Sequence, residues 1–153
     1  MRSIVFFDEV ATTELPCQMR ISQWKGFSAK ICLPWTLAIG NKSHIGEWAL
    51  ICNLGPVTIC ERVTVSHRAQ LCAGTHDYSD SALPLLRLSI TIEAKAWVCA
   101  GAFFGPDVTV REAAIAGAAA TVTRDVEPWV IVAGNLASFI KKRQMQARVE
   151  VNQ

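Results

Sequence analysis

Cut into sixes, residues 92–127 read IEAKAW, VCAGAF, FGPDVT, VREAAI, AGAAAT, VTRDVE. The first residue of every block is apolar: Ile92, Val98, Phe104, Val110, Ala116 and Val122. The fifth is small or β-branched: Ala96, Ala102, Val108, Ala114, Ala120 and Val126. A period of six fits neither the 3.6-residue repeat of an amphipathic helix nor the alternation of a half-buried strand. It marks a solenoid of short strands and turns. Three units close one triangular coil of about 18 residues and bury their first residues in a central stack. The small fifth residue lets the chain turn a tight corner.

The same rhythm extends towards the N-terminus. Hexads start at Ile39, Ile45 and Ile51; Val57 and Thr58 reset the register; further hexads start at Ile59, Val65 and Leu71. The clean hexads predict about four coils, with a weaker one beginning near Lys30. Residues 77–91, DYSDSALPLLRLSIT, interrupt two regular blocks and predict an external loop at a corner, the kind of insertion that carries binding residues. Pro128 ends the hexads. Leu136, Phe139, Ile140 and Met145 then recur at helical spacing and predict a short C-terminal helix capping the open strand edges. The expected class is an all-β solenoid, a parallel β-helix. It divides into an N-terminal segment 1–29 without rhythm, a β-helix domain 30–135 and a capping helix and tail 136–153.

Composition narrows the function. The chain is 51% hydrophobic and 18% charged, which places it among ordered proteins. A net charge of +2 is too mild to argue for nucleic acid, and the surplus sits in the tail at Lys141, Lys142, Arg143 and Arg148. No apolar run approaches the ~18 residues that span a bilayer. The start, MRSIVFFDE, is too short an apolar patch for a signal peptide, so a cytoplasmic protein without a membrane span is expected. Six cysteines include no C-x-x-C pair. Cys52, Cys60, Cys72 and Cys99 fall at second positions of hexads, a regularity that favours small structural thiols over a disulfide or zinc set.

The three histidines are the candidate chemistry. On a three-face model His44 falls at the corner after the first face, His67 on the second face and His76 at the corner after the third. They do not converge within one chain, so no metal is expected. His76 immediately precedes the predicted loop and is the candidate catalytic residue.

These residues carry a family resemblance. NLGPVTI at 53–59, THDY at 75–78, AWVCAGA at 96–102, TVTRDV at 121–126 and VAGN at 132–135 follow the order of the hexapeptide-repeat acetyltransferases. Within them the chain resembles the colanic acid biosynthesis type, near the maltose, galactoside and nodulation acetyltransferases, from about Lys30 to Arg143. The resemblance implies a left-handed β-helix, a homotrimer with active sites between subunits, and acetyl-CoA as co-substrate. It also implies O-acetyl transfer to a hydroxyl of a sugar or glycan precursor, as in polysaccharide biosynthesis. His76 matches the catalytic histidine, and Asn53, Asp77 and Tyr78 stand on the acceptor side. Trp97 matches a tryptophan lining the coenzyme side of the cleft. Ala100 and Ala118 match positions whose backbone borders the pantetheine arm, and the Ala100 N–H is a candidate oxyanion donor. Thr123 and Arg124 match a pair near the cofactor, and Lys141 and Lys142 would meet its phosphates. The chain departs from the family where Gly134-Asn135-Leu136 replaces a G-N-P turn. It departs again where Cys52, Cys60, Cys72, Cys99 and Arg111 replace second-position glycines.

Two other classes compete. Eroded glycines and an unmatched N-terminus suit a non-catalytic solenoid serving assembly. The same scaffold also hosts metal hydratases of the gamma carbonic anhydrase kind, which the poor convergence of the histidines disfavours.

Overall fold

The computed structural model describes residues 28–145, so the N-terminal segment and the end of the tail lie almost wholly outside it. The described chain is a parallel β-solenoid of five coils with three faces. The first face stacks β1 (Lys30–Ile31), β4 (Leu50–Cys52), β7 (Gln70–Cys72), β12 (Phe103–Phe104) and β15 (Thr121–Val122). The second stacks β2 (Leu37–Ile39), β5 (Val57–Ile59), β10 (Ile90–Ile92) and β13 (Val108–Val110). The third stacks β3 (His44–Ile45), β6 (Thr64–Val65), β11 (Trp97–Val98), β14 (Ile115–Ala116) and β16 (Val130–Ala133), and ends on β17 (Ser138–Lys142).

The hexad rule holds at the level of single side chains. Ile51, Ile59, Leu71, Ile92, Val98, Phe104, Val110 and Ala116 are all fully buried. So are the fifth residues Ala49, Ala69, Ala102, Ala114 and Ala120. Each strand runs inward, outward, inward over the fifth, sixth and first positions, as a pleat requires. Each buried Val, Leu or Ile stabilises the stack by about 1.5–3 kcal/mol relative to exposure. The turn falls on positions two to four. The fourth residue takes a left-handed conformation, with φ of 58° at Lys42, 60° at Trp48, 57° at Arg62 and 61° at Lys95. Among the described residues glycine serves this position with such a φ only at Gly101, at 66°. Elsewhere a side chain accepts a conformation costing about 1–2 kcal/mol, compensated by the ladder bonds of the corner.

Five coils rather than four are present because the weak block near Lys30 forms a complete one. Ile31 pairs with Ile51 and Ile51 with Leu71, a spacing of 20, whereas Phe104 pairs with Val122, a spacing of 18. The two extra residues of the early coils enlarge the corner between the first and second faces. The insertion leaves the third coil at this same corner. It is an arm, not a loop: β8 (Gly74–His76) pairs antiparallel with β9 (Leu85–Arg87), and the chain is back in the second face by Ile90. The expected bounds of 77–91 are therefore shifted: the arm already begins in β8 with Gly74, while Ile90 and Thr91 belong to the solenoid. Gly55 makes room for the arm's return: a Cβ there would lie 2.2 Å from the Leu88 carbonyl oxygen.

The C-terminal helix is not formed. Residues 138–142 are strand β17, antiparallel to β16. Leu136, Phe139, Ile140 and Met145 keep helical spacing but remain 64%, 61%, 54% and 66% exposed, so no buried helix face rewards it. Pairing with the open edge of β16 satisfies backbone groups that a helix would have left uncovered. Arg143 fastens the end of this hairpin by donating to the Lys95 and Ala113 carbonyls at 3.0 and 2.8 Å.

Candidate functional site

His76 is the last residue of β8 and is exposed on the arm. Its Nδ1 lies 2.6 Å from the Leu83 carbonyl oxygen. A carbonyl only accepts, so this bond places a ring proton on Nδ1, and Nε2 is the acceptor of the neutral ring. The turn that supplies the carbonyl is held by short polar contacts. Asp77 Oδ1 accepts from the Ser79 hydroxyl at 2.5 Å and the Ser79 N–H at 2.9 Å, and Asp80 Oδ1 accepts from the Ala82 N–H at 2.9 Å. The Ser79 hydroxyl, followed by the Ser79 N–H, holds the Asp77 carboxyl below its ordinary range. Asp77 thus shapes the arm with one oxygen. Tyr78, 93% exposed, projects from its tip.

Asn53 is displaced from its expected place on the acceptor side. It is fully buried, and its amide is occupied within the chain. Oδ1 accepts from the Cys32 and Leu33 N–H groups at 3.2 and 3.0 Å, while Nδ2 donates to Thr36 Oγ1 at 2.9 Å and to the Leu33 carbonyl. The Thr36 hydroxyl donates to the Asn53 carbonyl at 2.7 Å. These bonds hold the short 3₁₀ turn Pro34–Thr36 of the first coil against the second. The enlarged corner creates backbone groups that no ladder satisfies, and the asparagine amide meets them. Asn53→Ala is expected to cost about 1–3 kcal/mol of stability through the groups left unpaired. Thermal melting checks this.

The remaining candidates form two groups on either side of the first face. Thr123 and Arg124 sit at the arm corner, two coils beyond the arm. With Asp125, Leu136 and Ala137 they line a pocket of about 140 Å³. The other group occupies the third face and its corner towards the first. Trp97 points outward from β11, and its Nε1–H donates to the Ser66 hydroxyl at 3.0 Å. Its column continues through Ile115 and Ile131 to Lys141 by strand register, a run of ~14 Å at the usual strand spacing, and Lys142 pairs with Val130 beside it. Ala100 and Ala118 stack at the adjoining corner, where the Ala119 N–H donates to the Ala100 carbonyl at 2.9 Å. The Ala100 and Ala118 N–H groups have no acceptor among the described residues.

The histidine assignments on the three faces change. His44 lies in strand β3 on the outward column of Trp97, and His67 is in the turn one coil before Ala100, the reverse of the expected corner and face. The reason is that the sixth hexad position belongs to the strand and the third to the turn. Among the described residues no group of three or more His, Cys, Asp or Glu is arranged to hold a metal ion. No helix among them is long and apolar enough to cross a membrane. Sequence reasoning missed Ser66 and the paired arm strands. Ser66 stands at a second hexad position and gives no signal of its own.

The architecture and repeat define a hexapeptide-repeat β-solenoid, similar in sequence and fold to hexapeptide-repeat acetyltransferases. One relative is an Escherichia coli K12 protein named as a colanic acid biosynthesis acetyltransferase, 30% identical over 116 residues that cover 76% of this chain and 64% of the relative. In fold the chain is similar to a maltose O-acetyltransferase of Clostridium difficile, with a TM-score of 0.73 at 18% identity over 78% of this chain and 66% of that one. It is also similar to a hexapeptide-repeat acetyltransferase of Vibrio cholerae solved with acetyl coenzyme A, with a TM-score of 0.70 at 20% identity over 81% and 74% of the two chains. No protein-family model matches the chain. The chain spans just under two thirds of the length of the first curated relatives it matches, 64% and 65%.

Proposed function

We propose that the protein is an O-acetyltransferase that moves the acetyl group of acetyl-CoA onto a hydroxyl of a sugar or glycan precursor, at sites shared between chains of a homotrimer. The observation that carries this reading is the His76 ring, exposed on the arm and oriented by its Nδ1 bond to the Leu83 carbonyl. Nε2 takes the proton of the acceptor hydroxyl as its oxygen attacks the thioester carbonyl carbon. The developing oxyanion is held by a backbone N–H, for which that of Ala100, without an acceptor among the described residues, is the candidate. Collapse breaks the carbon–sulfur bond, and the leaving thiolate recovers the proton from the imidazolium. Asp77 maintains the turn that orients the histidine. Trp97, Ala118 and the lysines of β17 make the coenzyme wall, and Thr123 and Arg124 its other border.

Sharing between chains is supported by the separation of His76 from the Trp97 wall. Within one chain they lie on different corners, with the first face between them. A neighbouring prism brings one chain's wall to another's arm. A polysaccharide pathway in the cytoplasm is the setting this reading implies, consistent with the name of the Escherichia coli relative.

The sharing is tested by mixing two inactive variants. His76→Ala removes the base, and Ala118→Arg blocks the coenzyme corner at an exposed position. Mixed oligomers are expected to recover part of the activity that neither variant has alone. Mixed oligomers as inactive as the parents would place the whole site within one chain.

A further inference from the structure

Cys32, Cys52 and Cys72 follow one another up the same edge of the first face. Cys52 is in direct register with Cys72, and Cys32 follows the paired residues Ile31 and Ile51. All three are free thiols; Cys32 is exposed and the other two are half-buried. In-register residues on adjacent strands are about 4.8 Å apart at Cα, inside the range a disulfide spans. The Cys52 thiol senses both neighbours: burial and Cys32 push it up, and Cys72 pulls it down. Cys72 Sγ donates to the Gly74 carbonyl at 3.4 Å, at the foot of the arm. Cys99 is the contrast within the fold. Its column neighbours are Ser66 and Gly117, with no thiol beside it.

We propose that this thiol column is an oxidation site, at which a hydroperoxide joins Cys32 and Cys52 in a reversible disulfide. The exposed Cys32 thiol gives up its proton and its sulfur attacks the peroxide oxygen; the O–O bond breaks, Cys32 becomes a sulfenic acid, and the departing alkoxide or hydroxide takes that proton and leaves as alcohol or water. Cys52 then attacks the Cys32 sulfur. The S–S bond forms, and the departing hydroxide takes the Cys52 proton and leaves as water. Two thiols give up two electrons, and the peroxide accepts them. Cys72, on the far side of Cys52, can attack the Cys52 sulfur and release Cys32 as a thiol, so the bridge can pass along the column towards the arm. Parallel neighbours hold their Cβ atoms near the wide end of disulfide geometry, so the bond is strained and readily reduced by a dithiol. This inference does not depend on the acetyl-transfer reading.

The test treats the full chain with hydrogen peroxide, blocks remaining thiols and maps disulfide-linked peptides by mass. The expected result is the loss of two thiols per chain and a bridge from Cys52 to Cys32 or Cys72, restored to thiols by dithiothreitol. Cys52→Ser should abolish every bridge in the column. Cys32→Ser, at an exposed position that leaves the core intact, should slow thiol loss. Cys99→Ser should change neither result. A parent protein that keeps its thiols, or a bridge that survives in Cys52→Ser, would overturn the proposal.

Discussion

Val98→Asp is expected to abolish cooperative folding. Val98 is fully buried in β11, at the middle of a column that runs from Ile45 through Val65 and Ala116 to Val132. The buried core to which it belongs is apolar, built of aliphatic side chains, alanines and Phe104. A carboxylate there would meet no donor and no cation, and desolvating it costs several kcal/mol. A domain of this size has only about 5–15 kcal/mol in total. The adjacent residue supplies the control. Trp97 points outward on the same strand, so Trp97→Asp should melt cooperatively near the parent while Val98→Asp shows no transition. Circular dichroism during heating distinguishes them. Equal melting of Val98→Asp and the parent would mean that the strand register is displaced by one residue, since such a shift exchanges the two faces.

His76→Ala is expected to lower acetyl transfer by ~10²–10⁴-fold, the contribution of a positioned acid–base group. The fold should persist, because the ring is exposed on an arm outside the core and its recorded contact is to a carbonyl of the same arm. Affinity for acetyl-CoA should change little, since the coenzyme wall stands on another corner. His44→Ala and His67→Ala should keep the parental kcat, as neither belongs to the arm; both stand on the side of the Trp97 wall, so any effect falls on acetyl-CoA affinity. Comparing kcat and the acetyl-CoA affinity across the three variants separates loss of a base from loss of a binding surface.

How far the sequence carried depends on which physical constraint each residue answers to. The first and fifth hexad positions answer to one thing, burial in a narrow triangular core, and a period of six records it without ambiguity. Ile51, Val98 and Val110 therefore occupy the stack their spacing predicts. Residues 136–145 answer to an open strand edge elsewhere in the fold. Their apolar spacing fits a helix locally, and only the pairing of β17 with β16 decides otherwise. Asn53 lies between these cases. Its place in NLGPVTI suggested an acceptor ligand, yet its amide is consumed by the first coil, whose formation the weak rhythm near Lys30 barely signalled. Face and corner came out reversed for His44 and His67, because the strand covers hexad positions five, six and one and the turn positions two to four. The orientation of His76 was invisible in sequence, since it comes from a carbonyl on the other side of the arm's turn.

The most direct measurement is release of free thiol from acetyl-CoA by the parent protein across a panel of sugars, with and without acceptor, together with the mass of the sugar afterwards. The account predicts acceptor-dependent thiol release matched by one acetyl ester on a sugar hydroxyl for each thiol freed. Thiol release without an acetylated acceptor, or no acetyl-CoA turnover with any hydroxyl acceptor, would contradict it.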